Sequence, residues 1–255
     1  METRSISIKI SRAPSALPVP RPISLLAALL TVLPTACAPT HQAPSAPDPA
    51  PPHAAAPHAD TKPADPSISL FNGKDLSGWT QRGGKAAYFV EEGAIVGESR
   101  PGQPNSFLCT ERVYADFILE LDFIADTDAN SGIQIRSNSV PDYKNGQVHG
   151  YQVEIDTTDR AWTGGIYDEG RRGWLAPLDK NPAARAAFKQ GQWNHFRIEC
   201  RADHIQTWLN AVPCADLRDS MTASGFIALQ VHGVGDRKDP LRVRWKNIVL
   251  TDLTK

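Results

Sequence analysis

Gly150-Tyr-Gln-Val-Glu-Ile-Asp156 is the stretch that decides the fold. Apolar and polar side chains alternate along it. In an extended chain that alternation puts Tyr151, Val153 and Ile155 on one face and Gln152, Glu154 and Asp156 on the other. The same rhythm recurs on both sides. Ser106 to Thr110, Phe117 to Phe123 and Gly132 to Arg136 precede it; His195 to Cys200, Ile205 to Leu209, Gly225 to His232 and Leu241 to Leu250 follow. Clusters of Gly, Asn, Asp and Pro separate these segments, and Arg201-Ala-Asp-His204 and Asn210-Ala-Val-Pro213 read as turns. Short alternating strands between turn signals predict an all-β fold, a sandwich or a barrel. Only Pro182 to Gln190 has a helical composition, and it predicts a short surface helix.

The β pattern begins at Ser67, and three segments are expected: 1–37, 38–66 and 67–255. Arg4, Lys9, Arg12 and Arg21 precede the apolar run Ile23 to Leu33. A basic region followed by a short apolar one predicts a signal peptide, too short for a spanning helix, which needs ~20 apolar residues. Leu33-Pro-Thr-Ala-Cys37 resembles a bacterial lipobox, with Pro34 departing from its pattern. Lipidation of Cys37 would anchor the chain to a membrane surface without crossing it; cleavage near Ala36 or Ala38 would leave Cys37 free. Residues 38–66 are mostly Ala, Pro, His, Asp and Ser, which predicts an unpacked, semi-rigid spacer. The expected location is the periplasm or the outer-membrane or cell surface, with membrane contact only through the lipid.

The formal net charge is -1, from 27 Lys and Arg against 28 Asp and Glu. Without a basic stripe, nucleic acid is excluded as a partner. The spacing of the four cysteines does not fit a zinc site. An exported compartment permits disulfides. With Cys37 lipidated, the expected pair is Cys200–Cys214, flanking one predicted hairpin, with Cys109 a buried thiol.

Three strands carry unusual polar rows: Gln134 and Arg136; Gln152, Glu154 and Asp156; Gln230 and His232. Rows of amides, carboxylates, Arg and His beside Trp- and Tyr-bearing loops are either an exposed face or the floor of a sugar site. Amides and carboxylates pair with hydroxyls in both directions, and aromatic rings stack on a pyranose. The segment Ala161-Trp-Thr-Gly-Gly-Ile-Tyr-Asp-Glu-Gly-Arg-Arg-Gly-Trp174 reads as a Gly-rich loop or a hairpin. It contributes Tyr167, Glu169, Arg171, Arg172 and Trp174 as candidate substrate contacts, alongside Gln134, Arg136, Gln152 and Gln230. His149 is expected at a strand end, near a rim.

Leu70-Phe-Asn-Gly-Lys-Asp-Leu-Ser-Gly-Trp79, Ser131-Gly-Ile-Gln-Ile-Arg136, the Tyr151 strand, Thr163-Gly-Gly-Ile-Tyr167, Trp193-Asn-His195 and Trp208-Leu-Asn210 together resemble the 3-keto-disaccharide hydrolase family, in order and across the whole domain. The resemblance implies a concanavalin-like jelly-roll sandwich of two antiparallel sheets with a concave face. It also implies cleavage of an oligosaccharide or glycoside whose C3 hydroxyl is already a ketone: a base removes the C2 proton, the C1 substituent is eliminated and water adds back. A divalent metal is a possible cofactor, since some members of the family use one to polarise the ketone. On this chain the candidate catalytic residues are Glu154, Asp156 and His232. Two like charges on one strand face would push one carboxylate upward. Arg136 would stabilise an enolate, and His149, Glu154, Asp156 and His232 are the candidate metal donors. Two carboxylates ~7 Å apart also suit a direct glycoside hydrolase, and the same face would serve a non-catalytic carbohydrate-binding module or, with another chain on it, a structural envelope lipoprotein.

Overall fold

The computed structural model describes residues 67–254; the expected signal peptide, Cys37 and the expected spacer lie outside them. In chain order the first strands are β1 (Ser67–Ser69), β2 (Trp79–Gly83), β3 (Ala87–Glu91), β4 (Ala94–Glu98), β5 (Ser106–Thr110), β6 (Phe117–Ala125), β7 (Asn130–Asn138) and β8 (His149–Asp156). They are followed by β9 (Ile166–Glu169), β10 (Gly173–Ala176), the one-turn helix α1 (Pro182–Arg185), β11 (Asn194–Arg201), β12 (His204–Leu209), β13 (Val212–Arg218), β14 (Phe226–Val231) and β15 (Arg242–Asp252). Strands β9 and β10 form a hairpin where the sequence left loop and hairpin open. The helix is half the expected length; Asn181 caps it by accepting from Ala184 N at 3.1 Å.

The strands form two antiparallel sheets. One runs β13-β12-β11-β6-β15-β4-β3, with β1 also paired to β15; the other runs β10-β9-β8-β7-β14-β5-β2. The expected all-β jelly-roll sandwich is therefore the observed fold. Tight two-residue turns connect β11 to β12 and β12 to β13. In the second, Asn210 and Ala211 both take positive φ, 50° and 67°, the type I′ geometry that matches strand twist.

The core lies between the sheets. Phe117, Leu119, Leu121, Phe123 and Ala125 of β6 point into it, and the intervening residues are half-exposed. Ile133, Ile135, Tyr151, Val153 and Ile155 meet them from the other sheet. The two sheets differ on their outer faces. The β6 and β11 sheet alternates between buried and wet, as a solvated face should. In the other sheet, β8 and β14 are buried at every position and β7 at all but its ends. The polar rows read from the sequence are thus desolvated. Gln134 and Gln230 are 0% exposed, Gln152 is 2% and Glu154 4%.

Cys200 and Cys214 are not a disulfide; both are buried free thiols, as is Cys109. Cys200 sits on β11 and Cys214 on β13, with β12 between them. Two inter-strand steps of ~4.8 Å exceed the Cα separation a disulfide can span.

Gly132 makes the polar row possible. A Cβ there would lie 2.5 Å from the Cγ and Cδ of Gln152, which crosses β7 at this point. Replacing Gly132 with Ala is expected to displace Gln152 and destabilise the domain by ~1–3 kcal/mol, measured by urea denaturation. An unchanged midpoint would mean that Gln152 moves aside freely.

Candidate functional site

On the outer face of the β8 sheet a cleft of about 430 Å³ is lined by Asn105, Asn130, Gln152, Glu154, Arg160, Tyr167, Glu169, Trp174 and His232. Its floor is a chain of hydrogen bonds. Asn130 Nδ2 donates to Glu154 Oε1 at 2.8 Å, and Gln152 Nε2 donates to Glu154 Oε2 at 2.9 Å. Gln134 Nε2 donates to Gln152 Oε1 at 2.5 Å, and Ser137 Oγ to Gln134 Oε1 at 2.7 Å. Each amide is oriented by the next, and the chain ends on the one acid. Burial drives the Glu154 carboxyl up to about 7, against the hydrogen bonds of Asn130 and Gln152 and the charge of Arg160. Burial, rather than the like charge of Asp156, is the main cause.

Arg160 holds the acid from the side. Its Nη2 reaches Glu154 Oε1 at 3.1 Å and its Nε reaches Asp156 Oδ2 at 2.7 Å. Its guanidinium lies over Trp162 and Trp174, 5.2 and 4.9 Å from their ring centroids. The two indoles meet edge to face at 4.6 Å, and Tyr167 packs on Trp174 at 5.2 Å. A cation sandwiched by carboxylates and indoles is fixed in direction.

Across the cleft, Glu169 accepts from Asn105 Nδ2 at 3.4 Å and from Gln230 Nε2 at 3.3 Å. Burial also raises its carboxyl, opposed by Asn105, His232 and Gln230. Tyr167 is raised by burial and by the acids around it, so its hydroxyl stays protonated and able to donate. His232 follows β14 at the cleft mouth, exposed, with Nδ1 2.8 Å from Gly233 O. A carbonyl only accepts, so Nδ1 carries the hydrogen and Nε2 faces outward as the exchangeable nitrogen.

Of the residues expected from the sequence, Gln152, Glu154, Tyr167, Glu169, Trp174 and His232 line the cleft. Gln134 and Gln230 stand behind this lining and orient it. Asp156 does not line it. Its Oδ1 accepts from Thr158 N and Oγ1, and its Oδ2 from Arg160 and Trp162 N. Burial alone would raise it, but these hydrogen bonds hold it below the ordinary value. It organises the loop that presents Arg160.

Three arginines are corrected. Arg136 has φ 46°, and the register shifts between Ile135 and Asn138. This bulge breaks the alternation and turns Arg136 away from the polar row. Fully buried, it donates to Ala115 O and Ala202 O at 2.6 Å each and to Asp116 at 2.8 Å. Arg171 and Arg172 both clamp Asp168, whose side chain leaves β9 on the face opposite Tyr167 and Glu169. Arg171 continues to Thr222 Oγ1 at 2.7 Å, and Arg172 to Asp219 Oδ2 at 2.8 Å. They fasten the hairpin instead of facing a ligand.

Sequence reasoning missed Asn105, Asn130 and Arg160. All three sit at or beyond strand ends, where alternation does not reach. The signal for Arg160 was its place between Asp156 and Trp162.

A divalent metal needs several convergent oxygen or nitrogen donors. His149 lies five residues from Glu154 on β8, ~16 Å at ~3.3 Å per residue. Its ring packs on Tyr143 at 4.0 Å and its Nδ1 faces Gln147 O at 2.9 Å. The oxygens of Asp156 are taken. Among the described residues no group of three His, Cys, Asp or Glu side chains is placed to hold a metal ion. The four candidate donors therefore do not fit one.

A β sandwich with an amide- and carboxylate-floored, aromatic-walled cleft on one sheet belongs to the class of carbohydrate-handling sandwiches. Within that class, the chain belongs to the 3-keto-alpha-glucoside-1,2-lyase-like domain family, which matches residues 66–251. Membership ties the chain to carbohydrate chemistry. Among solved structures it is similar to a candidate glycosyl hydrolase from Parabacteroides distasonis ATCC 8503, at 18% identity over 73% of this chain and 94% of that one, with TM-score 0.52. The carbohydrate-binding module CBM66 from Bacillus subtilis is similar at 18% identity over 68% and 95%, with TM-score 0.50. A protein with a galectin-like fold, also from Bacillus subtilis, is similar at 9% identity over 69% and 90%, with TM-score 0.51. At these identities the likeness is one of fold. No curated protein sequence matches the chain.

Replacing Arg136 with Ala is expected to lower stability by ~2–4 kcal/mol, because a fully buried side chain is lost, a cavity opens, and Asp116 and the Ala115 and Ala202 carbonyls lose their donor. Urea denaturation measures this. A cleft ligand should bind the folded variant as it binds the parent.

Proposed function

We propose that this domain cleaves glycosides already oxidised to a ketone at C3, by taking the C2 proton and eliminating the C1 substituent. The observation that carries this reading is Glu154: a carboxylate buried at the cleft floor, titrating at about 7, with the Arg160 guanidinium against it. Family membership supports the substrate class.

The ketone acidifies the C2 hydrogen, and a carboxylate titrating near neutrality suits its removal. As that proton moves to Glu154, charge develops on the C3 oxygen. Arg160 and the Tyr167 hydroxyl are the donors available to meet it. The electron pair then forms the C1–C2 double bond, the C1–O bond breaks, and the departing oxygen needs a proton. His232 Nε2, at the cleft mouth, supplies it when the ring is charged. Addition of water to C1, with a proton returned to C2, gives net hydrolysis. Trp174 and Tyr167 offer rings to the sugar, and Asn105, Gln152 and Glu169 offer hydrogen bonds to its hydroxyls.

On the N-terminal sequence alone, we also propose that the protein is exported and held at a membrane surface through Cys37. Alkyne fatty-acid labelling that vanishes in Cys37→Ser would support this, and labelling that persists would overturn it.

Purified domain is expected to turn over 3-keto-α-glucosides and to leave the unoxidised glycosides intact. Glu154→Gln should cost ~10²–10⁴-fold in turnover; a variant as active as the parent would overturn the assignment. Binding of the keto sugar without turnover would instead identify a carbohydrate-binding module. Because Glu154 must be ionised to act, activity should rise with pH through about 7. Arg160 lowers the Glu154 value, so Arg160→Met should move that limb to higher pH, read from the kcat/KM profile.

A further inference from the structure

Past His232 the cleft continues into a second recess of about 300 Å³. Asn130 and His232 line both spaces, so the two are contiguous. The recess differs from the cleft in chemistry. Ala129, Val231 and Val243 are buried in its wall, and Val234 and Leu241 are half-buried there. Phe, Tyr and Trp are absent from its lining. Several of its polar side chains are engaged: Asn130 donates to Glu154, Ser99 Oγ accepts from Leu241 N at 2.9 Å, and Asp128 pairs with Arg237 at 3.7 Å on the exposed rim, while His232 stands where the recess meets the cleft.

We infer that this recess receives the leaving group and selects an aromatic or alkyl aglycone over a second sugar. The inference rests on the proposed function for the position of the scissile bond, beside His232 where the two spaces meet. A sugar would bring several hydroxyls against the aliphatic side of the wall, Ala129, Val231, Val234, Leu241 and Val243, which offers them no partner, and unpaired buried hydroxyls are costly. A phenol ring buries both faces there and releases water. The volume is ample, since a cavity of ~150 Å³ holds a benzene-sized ring. The rim pair Asp128–Arg237 meets solvent and leaves the floor apolar.

The test compares phenyl 3-keto-α-glucoside, methyl 3-keto-α-glucoside and a 3-keto-disaccharide on the parent protein and on Val234→Asp. The parent should show a KM for the phenyl substrate about tenfold below that for the methyl substrate. Val234→Asp should remove most of that ratio. Equal KM values on the parent, or a disaccharide preferred over the phenyl substrate, would overturn the inference. If none of the three is turned over, the proposed function fails separately, and the recess is read directly by saturation-transfer NMR with free phenol. Saturation of the phenol protons that weakens in Val234→Asp supports the apolar recess; no saturation on the parent overturns it.

Discussion

A sheet buried on both faces must pair nearly every polar group it carries, and that constraint organises this domain; Gln230 Oε1 is left without a hydrogen-bond partner. Strands β7, β8 and β14 present amides and a carboxylate to an outer face that solvent barely reaches. Left unpaired, each group would cost ~1–3 kcal/mol. The solution is linear: Ser137, Gln134, Gln152 and Asn130 hand hydrogen bonds along the sheet to Glu154. Because each amide has a fixed partner, no rotamer in the floor is free. The network that makes the face tolerable also pre-organises the acid, and the burial that makes the network obligatory raises that acid toward neutrality. Stability and chemistry draw on the same desolvation.

The walls follow another rule. Arg160 is exposed to the cleft yet held at five points, by two carboxylates, two indole faces and the loop that Asp156 caps. Such a cation supplies charge without a metal-type donor set, and its stem stays outside the strands. Asp156 shows how proximity misleads. It shares a strand face with Glu154, but its hydrogen bonds turn inward to the chain and make it a brace.

Alternation carried most of what the sequence could tell. It identified the strands, the polar rows and, among the nine residues around the cleft, Gln152, Glu154 and His232, because side-chain direction along a regular strand is fixed by geometry; Tyr167, Glu169 and Trp174 stood out by the composition of their Gly-rich segment. It failed where the strand stops being regular. Arg136 left the row because one bulge shifts phase, and a bulge has no strong signature in Ile-Arg-Ser-Asn. Arg171 and Arg172 looked like ligand contacts because charged residues in a Gly-rich segment usually face outward; the buried Asp168 between β9 partners draws them back. Asn105 and Asn130 lie at strand ends, where only the path of the chain decides what they face. The disulfide expectation failed for a topological reason: β12 runs between the two cysteines, and strand order across a sheet is not written in linear spacing.

Strand β9 divides its labour by parity. Odd positions, Tyr167 and Glu169, face the cleft, while the even position between them, Asp168, is pinned by two arginines that reach Thr222 and Asp219. The anchor and the cleft wall thus occupy opposite sides of a four-residue strand. Recognition can therefore be rewritten without touching the anchor. If the cleft binds sugar as proposed, exchanging the side chains at 167, 169 and 174 would change which sugar the wall admits, while the clamp keeps the backbone in register. That makes this hairpin the place where ligand preference can diverge most cheaply between proteins sharing the sandwich.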